Sequence, residues 1–243
     1  MTVEYMHWLK KINLAITSNK FEHLKDLIRK TEEMARKRFL STEGSHDWHH
    51  IDRVRNLALI LAEKEGGNAD LIELAALLHD LEDYKLQEEL TEGPLIEVWL
   101  QQEGADNELT RKIIRMIGEV SFKGSGVDTP CSCLESMILQ DADRLDAIGA
   151  IGIARAFAYG GKKGNPIYLP GVDPVEHTSF DAYKRHKGST IHHFYEKLLH
   201  LKERMNTQTA KQIAARRHQH MEAFLTQFYN EWYFKKLDLA DEE

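Results

Sequence analysis

Histidine and aspartate residues interrupt strongly apolar helical segments of this chain. In SHDWHHIDRVRNLALILAEK (45–64), a helical projection places His50 on one face with three apolar residues, Val54, Leu57 and Leu61. In LIELAALLHDLEDYK (71–85), His79 and Asp80 end a run that is apolar nearly all round. A buried carboxylate without a partner costs several kcal/mol, on the order of the penalty for an uncompensated charge. A divalent cation would offset this cost.

A third apolar segment, LQDADRLDAIGAIGIAR, contains three aspartates. Asp143 and Asp146 are one helical turn apart, whereas Asp141 lies on a different side of the predicted helix. Three carboxylates in a buried helix imply either a shared cation or several arginines. Arg144 and Arg155 are the nearest arginines in the sequence.

Together these segments offer two imidazoles and carboxylates from two separate helices. His50, His79, Asp80 and one of the aspartates of the third segment would suit Mn²⁺, Fe²⁺, Co²⁺ or Mg²⁺ with open coordination positions better than a closed structural zinc site. Taken singly, each has a simpler interpretation, namely a core histidine or a buried His–Asp or Asp–Arg pair. Both interpretations remain open at the level of residue types and spacing.

Apolar residues at spacings of three and four predict helices through most of the chain. The exception is residues 160–189, where glycines and prolines concentrate and a long loop is expected, with a short hairpin near Ile167–Leu169. We therefore predict an all-α fold. The predicted helices cover residues 3–17, 21–40, 46–65, 69–82, 94–104, 108–120, 132–159, 190–205 and 208–236.

Composition narrows the class of protein. The chain has 243 residues, 42% hydrophobic and 29% charged, as expected of a globular protein. Its net charge of −7 argues against a nucleic-acid polymer as partner but leaves room for a small anionic substrate in a local basic site. Cys131 and Cys133 are too few for a disulfide framework, and no segment is apolar enough to cross a membrane. A cytoplasmic protein with reduced thiols is expected.

The order of these residues resembles the HD-domain metal-dependent phosphohydrolases, whose signature is a histidine, then His-Asp, then a distant aspartate. The matching phrases are HHIDRV with His50, LLHDLED with His79 and Asp80, and DADRLD with Asp143. Longer phrases, DWHHIDRV, LLHDLEDYK and QDADRLDAIGAIGIAR, look like the bacterial YpgQ/YedJ-like nucleoside triphosphate pyrophosphohydrolases. The resemblance implies an HD-like helical bundle formed by a single domain of residues 1–243. Its parts would be a metal-site core at about 25–160, a loop at about 160–189 and C-terminal helices at about 190–236.

The resemblance also implies an activity, the hydrolysis of nucleoside or deoxynucleoside triphosphates to the monophosphate and pyrophosphate. One divalent ion is expected, Mn²⁺ first, with Mg²⁺, Co²⁺, Ni²⁺ or Fe²⁺ as alternatives. No histidine lies between Leu81 and Ala142, where binuclear relatives have extra ligands. A 5′-nucleotidase, a phosphodiesterase and a non-catalytic nucleotide-sensing module are the alternatives. A nucleotide is the expected partner, and a homodimer is allowed.

The predicted reaction requires an acid/base group and cations for the phosphates. Asp83 lies one turn beyond His79 and is the candidate acid/base residue, with Glu82 as its rival. Loop cations could close over a triphosphate. The predicted substrate-binding residues are Arg53, Lys85, Lys123, Arg144 and Asp146, and the loop cations are Lys162, Lys163, Lys184 and Arg185.

Overall fold

The computed structural model describes residues 22–40, 47–81, 95–120, 127–175 and 188–235. Within these ranges the chain forms α-helices and one short 3-10 segment, with no strand, so the all-α prediction is confirmed. The helix predicted at residues 3–17 lies outside them. The helices are α1 (22–39), α2 (Trp48–Glu65), α3 (Ala69–Leu78), α4 (Leu95–Gln102), α5 (Asn107–Gly118), α6 (Leu134–Asp146), α7 (Gly149–Lys163), α8 (Thr190–Glu196) and α9 (Gln208–Trp232), and the 3-10 segment is Leu198–Arg204.

Helices α2, α3 and α6 pack against one another at the centre of the bundle. Helix α3 also packs against α5, and every residue from Leu74 to Leu78 is buried, which accounts for its nearly continuous apolar sequence. Burial of this surface is the main stabilising contribution, at about 25 cal/mol per Å² of apolar area.

Two helix ends meet at one place in this core. Helix α2 begins after Asp47, whose side chain accepts a 2.9 Å hydrogen bond from the backbone N–H of His50, so His50 lies in the first turn. Helix α3 ends at Leu78, and His79 and Asp80 follow immediately, earlier than the predicted end at residue 82. The predicted metal ligands His50, His79 and Asp80 therefore lie at helix ends rather than in the middle of a helix.

The single helix predicted for residues 132–159 is wrong, because the chain turns between α6 and α7. Gly149 has φ +78°, in the left-handed region that glycine adopts most readily, and it opens α7 on a new axis. A Cβ at this position would lie 2.9 Å from Cγ of Arg217, which reaches over from α9. The apolar repeat through DAIGAIGIAR continues across this turn, so periodicity alone did not reveal it.

The long loop is shorter than predicted within the described residues. Helix α7 extends to Lys163 and ends at Gly164, which has φ +70°. The hairpin predicted near residues 167–169 is wrong, since this segment forms no strand. Instead, the Tyr168 ring contacts an aromatic cluster edge-on, and its hydroxyl lies 2.9 Å from that of Tyr233. Residues 176–187, with Lys184 and Arg185, lie outside the described residues.

The C-terminal helices are anchored to α6. The helix predicted for 190–205 is interrupted at Lys197, where α8 gives way to the 3-10 segment. Both carboxylate oxygens of Asp141 accept bonds of 2.8–2.9 Å from Asn206 and Thr207, at the start of α9. Asp141 thus points away from the other α6 aspartates, as its position in the sequence predicted.

None of the helices in the described ranges combines the length and the apolar character needed to cross a bilayer.

Candidate metal centre

His50 and His79 approach each other where the start of α2 meets the end of α3. Their Nε2 atoms lie 3.4 Å apart. Asp80 lies beside both rings, with Oδ2 3.2 Å from Nε2 of His50 and Oδ1 3.6 Å from Nε2 of His79. All three residues are buried, and one donor atom from each lies within 4.8 Å of the others. Ligand atoms around one ion, each at about 2.0–2.2 Å, show such mutual separations.

Asp143 completes the group from α6. Its Oδ1 lies 3.6 Å from Nε2 of His50 and 4.0 Å from Nε2 of His79. Its side chain is 29% exposed, compared with 1% for His50, 2% for His79 and 9% for Asp80. The four predicted metal ligands therefore converge, and the Asp143 side of the cluster is open to solvent.

The hydrogen bonds at Nδ1 determine which nitrogen of each neutral imidazole carries no proton. Nδ1 of His79 donates to the Ala76 carbonyl at 2.7 Å, because a carbonyl only accepts. That carbonyl belongs to the last turn of α3, where helical N–H partners run out. Nδ1 of His50 donates to Oδ2 of Asp146 at 2.8 Å. In their neutral forms both rings direct an Nε2 lone pair toward the other ring and toward two carboxylates.

A cation fits this set of donors. Two lone pairs and two carboxylates in a largely buried space repel one another unless a positive charge lies between them. Two imidazole nitrogens and two carboxylates are ligands that Mn²⁺, Fe²⁺, Co²⁺ and related ions accept. The end of α3 also contributes a partial negative charge from its free carbonyls, which favours a cation.

Asp146 is used differently from the substrate contact predicted for it. Its residue surface is only 1% exposed, and both carboxylate oxygens are already occupied. Oδ1 accepts from Nε of Arg53 at 2.7 Å, and Oδ2 accepts from His50 and from Arg155, each at 2.8 Å. Burial alone would raise the pKa of Asp146, but the bonds from His50 and Arg53 and the charge of Arg155 hold it well below the usual range.

Neighbouring carboxylates also change the pKa of His50. Burial lowers the pKa of this imidazole, but the hydrogen bonds with Asp146 and Asp80 outweigh burial and raise it above its ordinary value. The ring is therefore surrounded by carboxylates on both of its nitrogen edges.

Arg144, predicted to bind substrate, is also placed elsewhere. Its guanidinium is buried and donates to Oγ1 of Thr129 at 2.7 Å and to the backbone carbonyl of Arg204. Burial lowers the pKa of this arginine. Arg144 therefore fastens the segment before α6 to the 3-10 segment, and we withdraw it as a substrate contact.

The remaining predicted site residues include three that the structure describes and others outside the described ranges. Arg53 lies at the cluster, bonded to Asp146, with 35% of its side chain exposed. Lys162 and Lys163 lie at the exposed end of α7. The predicted residues outside the described ranges are Glu82, Asp83, Lys85, Lys123, Lys184 and Arg185.

One residue at the cluster was not among the predicted site residues. Arg155 of α7 reaches Asp146, and it was considered only as a source of positive charge for the buried aspartates. Its sequence signal was an arginine inside an otherwise apolar helix. Because the turn at Gly149 decides which way α7 runs, the sequence could not show which aspartate Arg155 would meet.

Comparison with known proteins agrees with this geometry. Residues 47–148 match the model of the family described as HD domain. The chain is 40% identical over 193 residues to Bacillus subtilis YpgQ, described as an uncharacterized protein, covering 77% of this chain and 85% of that protein. A crystal structure of YpgQ in complex with ADP gives a TM-score of 0.65 at 35% identity, covering 82% of this chain and 97% of that one.

Two further solved structures are similar. A protein from Lactobacillus plantarum gives a TM-score of 0.76 at 37% identity and covers 86% of this chain and 97% of its own. An HD-superfamily hydrolase from Bacillus thuringiensis gives a TM-score of 0.65 at 40% identity, covering 86% and 98% of the two chains. The family match spans the helices that carry the cluster, α2, α3 and α6.

Proposed function

Since this chain belongs to the HD-domain superfamily of metal-dependent phosphohydrolases, we propose that it hydrolyses nucleoside or deoxynucleoside triphosphates at the α-phosphate, giving the monophosphate and pyrophosphate. The main support for metal dependence is that the Nε2 atoms of His50 and His79 lie 3.4 Å apart while each ring donates a hydrogen bond through Nδ1. The nucleotide part is supported by the relative YpgQ, which was crystallised with ADP.

In this proposal His50, His79, Asp80 and Asp143 hold one divalent ion, with Mn²⁺ favoured. Such an ion supplies Lewis acidity toward a phosphate oxygen and lowers the pKa of a bound water. Asp143 is the most exposed of the four side chains, so substrate reaches the cluster from its side.

The charges of the cluster suit an anionic substrate. Arg53 and Arg155 offset two of the three carboxylates of Asp80, Asp143 and Asp146. With a divalent ion added, the cluster becomes net positive. A local positive charge can therefore attract a triphosphate even though the whole chain is net negative.

Arg53 is the described residue that we assign to a substrate phosphate. Two of its nitrogens, Nε and Nη2, bond to Asp146 at 2.7 and 3.1 Å, which fixes the plane of the guanidinium. With 35% of its side chain exposed, a guanidinium fixed in this way can bind phosphate oxygens in the paired geometry that arginine favours.

Proton transfer from the attacking water requires a carboxylate near the cluster. Asp83 and Glu82 remain the candidates, at three and two residues beyond Asp80 in the sequence. Attack at the α-phosphorus would break its bond to the bridging oxygen, which leaves with pyrophosphate.

The proposal is tested with a panel of nucleoside and deoxynucleoside mono-, di- and triphosphates, each assayed with several divalent ions. Pyrophosphate and orthophosphate are measured separately, and an Asp80→Ala preparation gives the background. We expect triphosphates to yield pyrophosphate and monophosphate in equal amounts. Orthophosphate as the sole product, or turnover of monophosphates alone, would show that the bond assignment is wrong and would favour the nucleotidase alternative.

A further inference from the structure

We infer that Asp146 is a positioning residue for the metal site, which holds the His50 ring with Nδ1 protonated and Nε2 free to bind the ion. This inference rests on the proposed function, because it takes His50 to bind metal through Nε2. Asp146 itself does not touch the ion or the substrate in this account.

The contacts of Asp146 form a defined chain. Oδ2 of Asp146 lies 2.8 Å from Nδ1 of His50, on the edge of the ring opposite the cluster. A carboxylate at that edge keeps the proton on Nδ1 and leaves the Nε2 lone pair toward Asp80, which lies 3.2 Å away. It also increases the basicity of Nε2 as a ligand, as carboxylate–histidine pairs do at metal sites in general.

Two arginines hold the carboxylate in this orientation. Arg53 approaches from α2 and bonds to both oxygens, at 2.7 and 3.1 Å, while Arg155 approaches from α7 and bonds to Oδ2 at 2.8 Å. Asp146 is therefore fixed from two other helices, α2 and α7, and it cannot rotate away from His50 without losing these bonds. The same charges keep the carboxylate ionised inside the core.

A third arginine connects this arrangement to the C-terminal helix. Arg217 of α9 donates through Nη1 to the backbone carbonyl of Leu145, the residue before Asp146, and its side chain packs over Gly149. The glycine is required there because a Cβ would lie 2.9 Å from Cγ of Arg217. The end of α6, and with it the Asp146 backbone, is thus braced from outside the metal-binding helices.

The competing interpretation is that Asp146 only links helices through ion pairs. Asp141 provides a matched control, because it is a second buried aspartate on α6 with both oxygens bonded. Its partners are Asn206 and Thr207, which are not members of the cluster. Loss of either carboxylate should destabilise the fold, but only loss of Asp146 should change metal binding.

The test compares Asp146→Asn with Asp141→Asn by titrating the metal-free proteins with Mn²⁺ in a calorimeter, and thermal unfolding is measured for each. An asparagine amide cannot accept bonds at both oxygen positions, so one of the donors around residue 146 faces an N–H group. We expect Asp146→Asn to weaken Mn²⁺ binding by about 10- to 100-fold. For Asp141→Asn we expect a change in affinity of less than about twofold together with a lower unfolding temperature. Equal Mn²⁺ affinities in Asp146→Asn and wild type, or equal losses in the two variants, would overturn the inference.

A measurement on the unmodified chain keeps the inference testable if Asp146→Asn fails to fold. In protein labelled with ¹⁵N-histidine and loaded with diamagnetic Zn²⁺, we expect a proton on Nδ1 of His50 and none on Nε2. An unprotonated Nδ1 would contradict the role of Asp146. His79→Ala tests the metal site itself, because undiminished Mn²⁺ binding by that variant would refute the site on which the proposed function depends.

Discussion

His50 and His79 lie with their Nε2 atoms 3.4 Å apart, and each ring donates through Nδ1 to an acceptor elsewhere. Two neutral imidazoles in this arrangement cannot hydrogen-bond to each other. Asp80 and Asp143 add negative charge at the same point, so a bound cation would be attracted to all four side chains.

Substitution of His50 should abolish metal binding. We expect His50→Ala to lower Mn²⁺ affinity at least about 100-fold, because one of the four proposed metal ligands is lost. His49→Ala is the control, since His49 is adjacent in the sequence but exposed on the other face of α2. Calorimetric titration measures both. Similar affinities for the two variants would show that the ion binds elsewhere.

Metal binding should stabilise the fold. An ion present at 100 times its dissociation constant adds about 2.7 kcal/mol to the free energy of unfolding. For a chain of this size the melting temperature should rise by about 5–10 °C. The shift should vanish on adding a chelator and should be absent in His79→Ala. A shift of the same size in His79→Ala would contradict a site formed by these residues.

Arg53 should affect substrate binding beyond its contact with Asp146. At saturating Mn²⁺, Arg53→Lys should raise KM for a nucleoside triphosphate about tenfold, because lysine cannot bind two oxygens in one plane. Arg55→Lys is the control on the same helix, as Arg55 pairs with Glu73 and Glu32 away from the cluster. Steady-state kinetics decide the point. If both variants keep the wild-type KM, Arg53 is not a phosphate ligand.

The turn that begins α7 should depend on Gly149. Gly149→Ala should lower the free energy of unfolding by about 1–2 kcal/mol, because the residue has φ +78° and a Cβ would displace Arg217. Gly161 on the same helix has no atom within 4 Å of the place of a Cβ, so Gly161→Ala should be neutral or stabilising by up to about 1 kcal/mol. Denaturant unfolding compares the two. A loss at Gly161 as large as that at Gly149 would contradict this account of the turn.

The sequence predicted that His50, His79, Asp80 and Asp143 would lie close together. Each is an ionisable or metal-binding residue in an apolar helical segment, where an unpartnered charge is costly. Their order along the chain also resembled the HD-domain signature. The residue types indicated His50, His79, Asp80 and an aspartate of the third segment, and the resemblance selected Asp143 among the three aspartates there.

The sequence could not show which neighbour each polar side chain of α6 contacts. Asp141, Asp143, Arg144 and Asp146 lie within six positions, and each successive residue turns by about 100° around the helix. Which neighbour each one meets depends on helices far away in the sequence. Asp141 meets Thr207 on α9, and Asp146 meets Arg155 on α7. Assigning Arg144 and Asp146 to the substrate therefore failed for lack of tertiary information.

The boundary between α6 and α7 was not predicted, for a related reason. The apolar repeat continues through the turn at Gly149, and no proline marks the break. Periodicity reports which residues face the core, but it does not report a change of helix axis when the following residues are apolar as well. Glycine was the available signal, and its positive φ became visible only in the structure.

The most direct test of the metal centre is anomalous X-ray diffraction from crystals of the chain grown with Mn²⁺. At the manganese absorption edge we predict one strong peak, bonded to Nε2 of His50, Nε2 of His79 and carboxylate oxygens of Asp80 and Asp143. Absence of a peak among these four side chains, or a peak located elsewhere in the molecule, would contradict the account.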